Sequence, residues 1–343
     1  MSARRAKRWR SSIRAFIWRT SAAAVDELMK IILSRKGFDS SSGGVPSPIF
    51  PQTNGLFSLY SLPIPLERAT CRYKGLRWNG VPLDEISSLR GRKAPLSGTP
   101  HLDPDLAREA LRYRHPDWRP IFGQSGRQET QLRKMGVDDP GDLCDRGSRP
   151  VFLFFGWYRM VRETSSGYSY VRSAPNLHAF FGWLQVERKV VLSDRTDRNR
   201  AKREMPWAAH HPHVACDYYD GKPNAIYIAP RPGSETDSLI LDGHDTGLPA
   251  SGMFRRYLPE IHTLTAENKT RRCWRLPAWF HRDGYPKLGM HMDVSRWKEI
   301  PNDPDHVELR SVDRGQEFVF DSHEHDEGQV RAWVELIVRS GQP

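Results

Sequence analysis

The sequence is poor in cysteine. It has four cysteines in 343 residues (Cys71, Cys144, Cys216 and Cys273), and no two of them form a C-x-x-C pair. Zinc ribbons need such pairs, and small secreted scaffolds need a much higher density of cysteine for their disulfides. We therefore expect reduced thiols in a cytoplasmic protein, most of them packed in the interior.

Two other features are missing. No apolar run approaches the length that spans a membrane, so we expect no membrane partner. The G-x-x-x-x-G-K spacing of a Walker phosphate loop is also absent. These absences argue against a membrane protein and against a P-loop nucleotide hydrolase.

Basic residues are abundant. Lys and Arg number 52 against 41 Asp and Glu, which gives a formal net charge of +11 and a pI near 9.6. A basic balance of this size favours a polyanionic partner such as DNA or nucleotides. The apolar content of 38% is sufficient for a packed core, so the chain as a whole is not disordered.

Residues 1–28 differ from the rest. They hold seven basic and two acidic residues. We interpret them as a basic leader, either a flexible arm or an extension upstream of a natural start at Met29. A signal peptide is less favoured, because Arg14 and Arg19 interrupt the apolar region. The remainder, 29–343, is predicted to be one large domain.

The segment 151–192 contains Phe-Phe-Gly-Trp twice, at 154–157 and 180–183. Each copy lies in an apolar run rich in β-branched and aromatic residues, which predicts two paired strands, each bent at its glycine. The predicted fold class is α+β, with a mixed β-sheet or partly closed barrel as the core and flanking helices. Trp157 and Trp183 are candidate stacking platforms, although core packing explains tryptophans in apolar runs equally well.

A loop at 34–48 follows the first predicted strand and combines glycines and hydroxyl residues with basic side chains. Such a loop suits an anion, because its free backbone N–H groups can point at the ligand. We predict substrate-binding roles for Ser34, Arg35, Lys36 and Asp39. An ordinary solvated loop is the alternative.

Two short segments combine helix signals with polar side chains. In His101-Leu102-Asp103-Pro104-Asp105 the Asp-Pro pair predicts a helix start, and the alternative is a polar or metal-binding cluster of His101, Asp103 and Asp105. At Gln124-Ser125 the S-x-x-Q pattern predicts a capping box for a helix that ends near Gly136. Gln124 has no structural duty there and is predicted to contact the substrate.

Three further patterns complete the chain. His210, His211 and His213 lie in WAAHHPH, where a single histidine acting as acid or base (His213) is favoured over a metal site. The charge-rich run 193–203 predicts a solvated loop. A final helix with apolar positions from Val330 to Val338 follows Asp326, its predicted N-cap.

Several of these segments occur together in a known order. They are MKIILSRKGFDSSSGGVPSPIF, HLDPDL, WRPIFGQSG, FLFFGWYR, HAFFGWLQV, HPHVA, NAIYIA, WRLPAWF and GQEFVFD. From Met29 onwards the chain resembles the third type of nucleotide-modification-associated domain, a family described as DNA base hypermodification proteins of phages and bacteria. The resemblance implies an association with enzymes that decorate DNA bases, and such enzymes are expected partners. It implies no particular cofactor and no set of catalytic residues. The first hypothesis is therefore an enzyme that acts on a DNA base or modified nucleotide.

A weaker resemblance concerns the centre alone. A G-D-L turn followed by two apolar strands is similar to PUA- and EVE-like barrels, which read modified bases. This leaves a binding module as the alternative function.

The candidate residues form two groups, and no metal ligand is assigned. The catalytic candidates are His101, Asp103, Asp105 and His213. The substrate-binding candidates are Ser34, Arg35, Lys36, Asp39, Gln124, Ser125, Trp157 and Trp183.

Overall fold

The structure is a computed structural model that describes residues 29–40, 42–52, 55–66, 72–78, 81–83, 89, 98–137, 149–284, 288–312, 317–322 and 325–343. The strands are β1 Lys30–Arg35, β2 Ser47–Pro51, β3 Phe57–Leu59, β4 Arg77–Trp78, β5 Val81–Pro82, β6 Ile121–Ser125, β7 Val151–Thr164, β8 Gly167–Tyr170, β9 Leu177–Gln185, β10 Arg188–Val191, β11 Asn224–Ile228, β12 Ile240–Leu241, β13 His244–Asp245, β14 Ser251–Met253, β15 Cys273–Pro277, β16 Trp297–Ile300, β17 Asp303–Arg310 and β18 Glu317–Asp321. The helices are α1 Gly126–Lys134, α2 Arg195–Glu204, α3 Pro212–Ala215, α4 Pro259–His262 and α5 Glu327–Ser340. The leader 1–28, Cys71, Cys144 and the segment His323-Glu324 lie outside the described residues.

The centre of the fold is a mixed sheet in the order β14-β9-β7-β1-β18, to which β2, β3 and β8 are joined. Strand β1 runs parallel to β7 and antiparallel to β18, while β7 and β9 run antiparallel. The α+β class and the mixed sheet are therefore confirmed. The described strands do not close into a barrel.

Both copies of Phe-Phe-Gly-Trp lie in this sheet, on the paired strands β7 and β9. Their apolar runs are continuous because both faces of the sheet are buried. Phe154 pairs with Gly182 while Phe155 pairs with Phe180, so Phe181 is an extra residue that bulges from β9. A Cβ at Gly182 would lie 2.7 Å from the carbonyl oxygen of Gly252, which requires glycine beside the bulge.

The central sheet is covered on both faces. One face contacts a second sheet, β10-β11-β6, through Phe152, Phe122 and Tyr227. The other face contacts α5 and a third sheet, β15-β17-β16. Helix α5 begins after Asp326, whose carboxylate accepts from the Gln329 N–H at 3.0 Å, and its apolar face is buried as predicted.

Two local predictions are wrong. Residues 195–204 form helix α2, which Asp194 caps, and Arg198 on that helix is buried in a two-bond ion pair with Asp220. Residues 101–106 form no helix, because both backbone groups of Asp105 bond to Ile121 at the edge of β6. Only a short 3-10 turn follows, at Arg108–Ala110.

Two negative findings apply to the described part of the chain. None of its helices combines the length and apolar character that a membrane crossing requires. Cys216 and Cys273, the two cysteines within it, form no disulfide.

Candidate functional site

The Asp103 side chain lies at the edge of β6. Residues 103–105 run beside this strand, and the main chain of Asp105 exchanges two hydrogen bonds with Ile121. Two residues further along, the Asp103 carboxylate takes the place of a strand carbonyl, and its Oδ1 accepts from the Gly123 N–H at 2.7 Å. Asp103 is therefore fixed on the sheet and is not a helix cap.

Three imidazoles surround this carboxylate. His211 Nε2 lies 3.4 Å from Oδ1, His213 Nε2 lies 3.6 Å from Oδ2, and His101 Nδ1 lies 3.9 Å from Oδ2. All four residues are buried, with at most 8% exposure. We call these four residues the His–Asp cluster.

The ring of His213 is held tightly. It stacks on Tyr219 with centroids 4.3 Å apart, and its other face lies against the backbone of Gly123. A Cβ at residue 123 would be 2.2 Å from the His213 ring, so the strand can approach this closely only as glycine.

Asn224 fixes the tautomer of His213. The Asn224 amide nitrogen donates to the backbone oxygens of Leu192 and His213, at 3.2 and 3.1 Å. Its Oδ1 is therefore the acceptor in the 2.7 Å contact with His213 Nδ1, and Nδ1 carries the hydrogen. Nε2 is then the ring nitrogen that faces Asp103.

The protonation states follow from burial and charge. Burial lowers the pKa of His101 to about 3, so this imidazole is neutral at pH 7. Burial alone would raise the pKa of Asp103, but the closeness of His211 and His213 holds it well below its usual value. An ionised carboxylate therefore faces at least one neutral imidazole.

The remaining ring nitrogens of His101 and His211 differ in their surroundings. His101 Nε2 lies 2.9 Å from the Tyr219 hydroxyl. Neither ring nitrogen of His211 has a hydrogen-bond partner among the residues that the structure describes. A buried polar group without a hydrogen-bond partner is destabilising.

A groove of about 230 Å³ adjoins His211. Trp118, Trp207 and His210 contribute to its lining, together with Arg114. Asp105 also borders this groove, where both of its oxygens accept from the Arg114 guanidinium at 2.6 Å. The structure thus places Asp105 beside the cluster in an ion pair of its own.

Lys36 and Gln124 form a second polar group with Glu317, which opens β18. Lys36 Nζ lies 2.8 Å from Glu317 Oε1, and the Gln124 amide donates to the same oxygen. Residues 123 and 124 point to opposite faces of β6, so this group and the His–Asp cluster lie on either side of that strand. Glu317 Oε2 and the Ser34 hydroxyl are buried without a partner in the described part, on paired residues of β18 and β1.

Arg35, Asp39 and Trp157 belong to a third group. Burial lowers the pKa of Arg35, and the nearby Asp39 carboxylate opposes this shift. The Arg271 guanidinium lies 4.2 Å from the centre of the Trp157 ring and donates to the Ser40 hydroxyl at 2.9 Å. This group is basic and partly exposed, as an anion site requires.

The two remaining candidates have structural surroundings. Ser125 is the N-cap residue of α1, which confirms the predicted start, but its hydroxyl makes no capping hydrogen bond within the described chain. Trp183 is 1% exposed, stacks on Phe254 and donates to the Pro249 carbonyl. These are the contacts of a core residue.

Sequence reasoning missed Tyr219, Asn224 and Glu317. Each is a polar residue at the border of an apolar strand or turn, in DYYD, NAIYI and EFVFD respectively. A buried strand that opens with Asn or Glu is a usable signal, because such a side chain must find a partner at the strand end.

The family model described as nucleotide modification associated domain 3 matches residues 30–321. The chain belongs to this family. The match to nucleotide modification associated domain 3 includes the whole His–Asp cluster and Glu317. No curated protein and no solved structure matches the chain.

Proposed function

We propose that this chain is an enzyme that modifies a base, either in DNA or in a nucleotide, and that the His–Asp cluster is its reaction centre. The family is associated with nucleotide modification, which gives the class of substrate. The cluster supplies the chemistry, because imidazoles and a carboxylate are the side chains that most often move protons or hold metal ions.

One observation carries this proposal. Three buried imidazoles face one buried carboxylate, at distances longer than a normal hydrogen bond. Such an arrangement contributes little to stability, since each desolvated polar group without a good partner destabilises the fold. Buried groups of this kind are a recognised mark of reaction centres.

The surroundings fit a base and its phosphate. The groove beside His211 has tryptophans in its walls, against which a planar base can stack. Arg35 and Arg271 provide positive charge near Trp157. We propose that the groove holds the base and that the third polar group contacts phosphate.

The test is mass spectrometry of nucleosides from cells that express the protein together with its neighbouring genes. Wild type is compared with Asp103→Asn, and His244→Ala serves as the control because His244 is exposed on β13, outside the cluster. We expect a modified nucleoside with wild type and with the control, and at least a hundredfold less with Asp103→Asn. Identical nucleoside profiles for wild type and Asp103→Asn would contradict the proposal.

A binding module that reads modified bases has less support. The predicted platforms are Trp157 and Trp183, and Trp183 is only 1% exposed. Binding to modified and plain DNA across a range of salt concentrations tests this alternative. A preference for modified DNA in both wild type and Asp103→Asn, without any new nucleoside in cells, would favour the reader.

A further inference from the structure

We propose that the His–Asp cluster binds one divalent transition-metal ion, through His101 Nδ1, Asp103 Oδ2 and His213 Nε2. These three atoms lie within 4.8 Å of one another. The inference deepens the proposed function and rests on it for the purpose of the ion, since the ion would lie at the reaction centre. Its binding can be measured without any nucleic acid.

The Asn224 side chain selects the ring nitrogen of His213 that can bind an ion. Its Oδ1 occupies Nδ1 of His213, so Nε2 is the nitrogen that faces Asp103 Oδ2, 3.6 Å away. Imidazole binds a metal ion through a nitrogen that carries no hydrogen. A cation between His213 Nε2 and Asp103 Oδ2 would have both atoms as ligands.

The distances within the cluster are longer than hydrogen bonds. The separations of 3.6 and 3.9 Å between Asp103 Oδ2 and the two imidazole nitrogens exceed a normal hydrogen bond of about 3 Å. An ion with bonds of about 2.0–2.1 Å to tetrahedral ligands holds those ligand atoms about 3.4 Å apart. For these two pairs of atoms, a small contraction around an ion therefore gives usual bond lengths.

The three ligand residues have outer contacts typical of a metal site. The far nitrogen of each histidine already has a protein partner: Tyr219 for His101 at 2.9 Å, and Asn224 for His213 at 2.7 Å. The second oxygen of Asp103 is held by the Gly123 N–H. Histidine ligands of metal ions characteristically have such partners, which fix ring orientation and tautomer.

The donor set selects the class of ion. Two imidazoles and one carboxylate suit zinc or ferrous iron, whereas magnesium and calcium prefer oxygen ligands alone. Three protein ligands leave coordination positions open, as at catalytic sites. His211 Nε2 lies 3.4 Å from the other oxygen of Asp103, and neither ring nitrogen of His211 has a hydrogen-bond partner in the described chain. His211 also borders the groove.

The experiment is a titration of chelator-treated, full-length protein with Co²⁺, with Zn²⁺ and, as a hard-cation control, with Mg²⁺. We expect about one Co²⁺ per chain, with visible absorption that Zn²⁺ abolishes and Mg²⁺ leaves unchanged. X-ray absorption of the Co²⁺ form should show imidazole nitrogens around the ion. Failure of both Co²⁺ and Zn²⁺ to bind, or an ion without imidazole neighbours, overturns the proposal.

Variants locate the site. Asp103→Asn and His213→Gln should each weaken Co²⁺ binding by at least about a hundredfold, since loss of an outer partner alone costs 10–100-fold. His244→Ala should bind like wild type. Circular dichroism verifies that each variant is folded, and wild-type absorption remains decisive if one is not. Wild-type affinity in both ligand variants would overturn the assignment.

The two proposals fail in different ways. A protein that binds Co²⁺ through the cluster but leaves every nucleoside unchanged retains the metal site and contradicts the enzyme. A protein that modifies nucleosides in an Asp103-dependent way, yet binds neither Co²⁺ nor Zn²⁺, retains the reaction centre and overturns the metal site.

Discussion

Two buried carboxylates lie near the β10-β11-β6 sheet, and they have opposite surroundings. Glu129 on α1 is fully paired: one oxygen lies 3.0 Å from Lys189 Nζ, and the other accepts from the Tyr227 hydroxyl at 2.6 Å. Asp103 has the Gly123 N–H on one oxygen, while the imidazoles around it stand 3.4–3.9 Å away.

This difference separates a structural ion pair from a candidate reaction centre. Around Glu129, charge and hydrogen bonds balance, and Lys189 also donates to the Val137 carbonyl at 3.0 Å. Around Asp103 the three imidazoles lie beyond the length of a normal hydrogen bond. Burial alone does not distinguish the two sites, but the completeness of hydrogen bonding does.

The largest expected contrast is in stability. Glu129→Gln should lower the free energy of unfolding by about 3 kcal/mol, because it leaves the Lys189 ammonium buried without its countercharge. Asp103→Asn should lower it by only about 1 kcal/mol in metal-free protein, because its amide oxygen keeps the Gly123 contact and only the charge beside the imidazoles is lost. Urea unfolding of both variants measures this, and equal losses would remove the distinction.

A second pair of variants tests the close packing of His213. Gly123→Ala should lower the free energy of unfolding by about 2 kcal/mol and weaken Co²⁺ binding, since the new methyl group meets the His213 ring. Gly75→Ala is the matched control: it has open space around it, and its stability should be unchanged or about 0.5 kcal/mol higher. Thermal unfolding and Co²⁺ titration provide the measurements. Normal Co²⁺ affinity in Gly123→Ala would show that the position of His213 is not critical.

Removal of two different tyrosine hydroxyls should have separate effects, one on Co²⁺ affinity and the other on the free energy of unfolding. Tyr227→Phe removes a hydrogen bond to the ionised Glu129 and should lower the free energy of unfolding by about 1.5 kcal/mol, with no change in Co²⁺ affinity. Tyr219→Phe removes the partner of His101 and should weaken Co²⁺ binding by about tenfold. Calorimetry of metal binding and of unfolding compares the two. The reverse pattern would contradict the assignment of roles.

The smallest expected effect on stability near neutral pH comes from His262, a buried histidine whose two ring nitrogens both form hydrogen bonds. Its Nδ1 accepts from the Leu258 N–H at 2.9 Å and its Nε2 donates to the Ile337 carbonyl at 3.1 Å. Burial lowers the pKa of His262 to about 4. Between pH 6.5 and 4 the unfolded chain therefore binds a proton that the folded chain does not.

Stability should accordingly fall as the pH drops through this window. His262 should make the unfolding free energy depend on pH with a slope of up to about 1.4 kcal/mol per pH unit in this window. Above pH 6.5 this slope should be zero. In His262→Gln the unfolding free energy should have a slope that is shallower by about this amount. Chemical denaturation at a series of pH values measures it, and identical slopes would show that His262 is protonated in the fold.

The sequence alone is sufficient to predict helices and strands that have a strong local pattern. Helix α5 and the strands β7 and β9 were predicted because their apolar spacing is visible within a few residues. The cluster was only partly foreseen. Asp103 precedes a proline and looks like a helix cap, whereas its true partner, Gly123, follows much later in the chain.

Pairing between residues far apart in the sequence explains why the predictions for Lys36 and for 193–203 differ from the structure. Lys36 looked like a phosphate ligand because its own loop is rich in glycine, but Glu317 from the far end of the chain pairs with it. The run 193–203 looked solvated because it is highly charged, yet Arg198 is buried against Asp220. No local pattern reveals a partner that arrives through the tertiary fold.

The pairing of β1 with β18 has a consequence for biosynthesis. Lys30 lies opposite Asp321, so nearly the whole described chain must leave the ribosome before this pair can form. Until then the outer edge of β1 exposes unpaired backbone groups that can associate with other strands. The nascent protein thus carries an aggregation-prone edge through most of its synthesis, and a chaperone that shields this edge should raise the yield of folded protein.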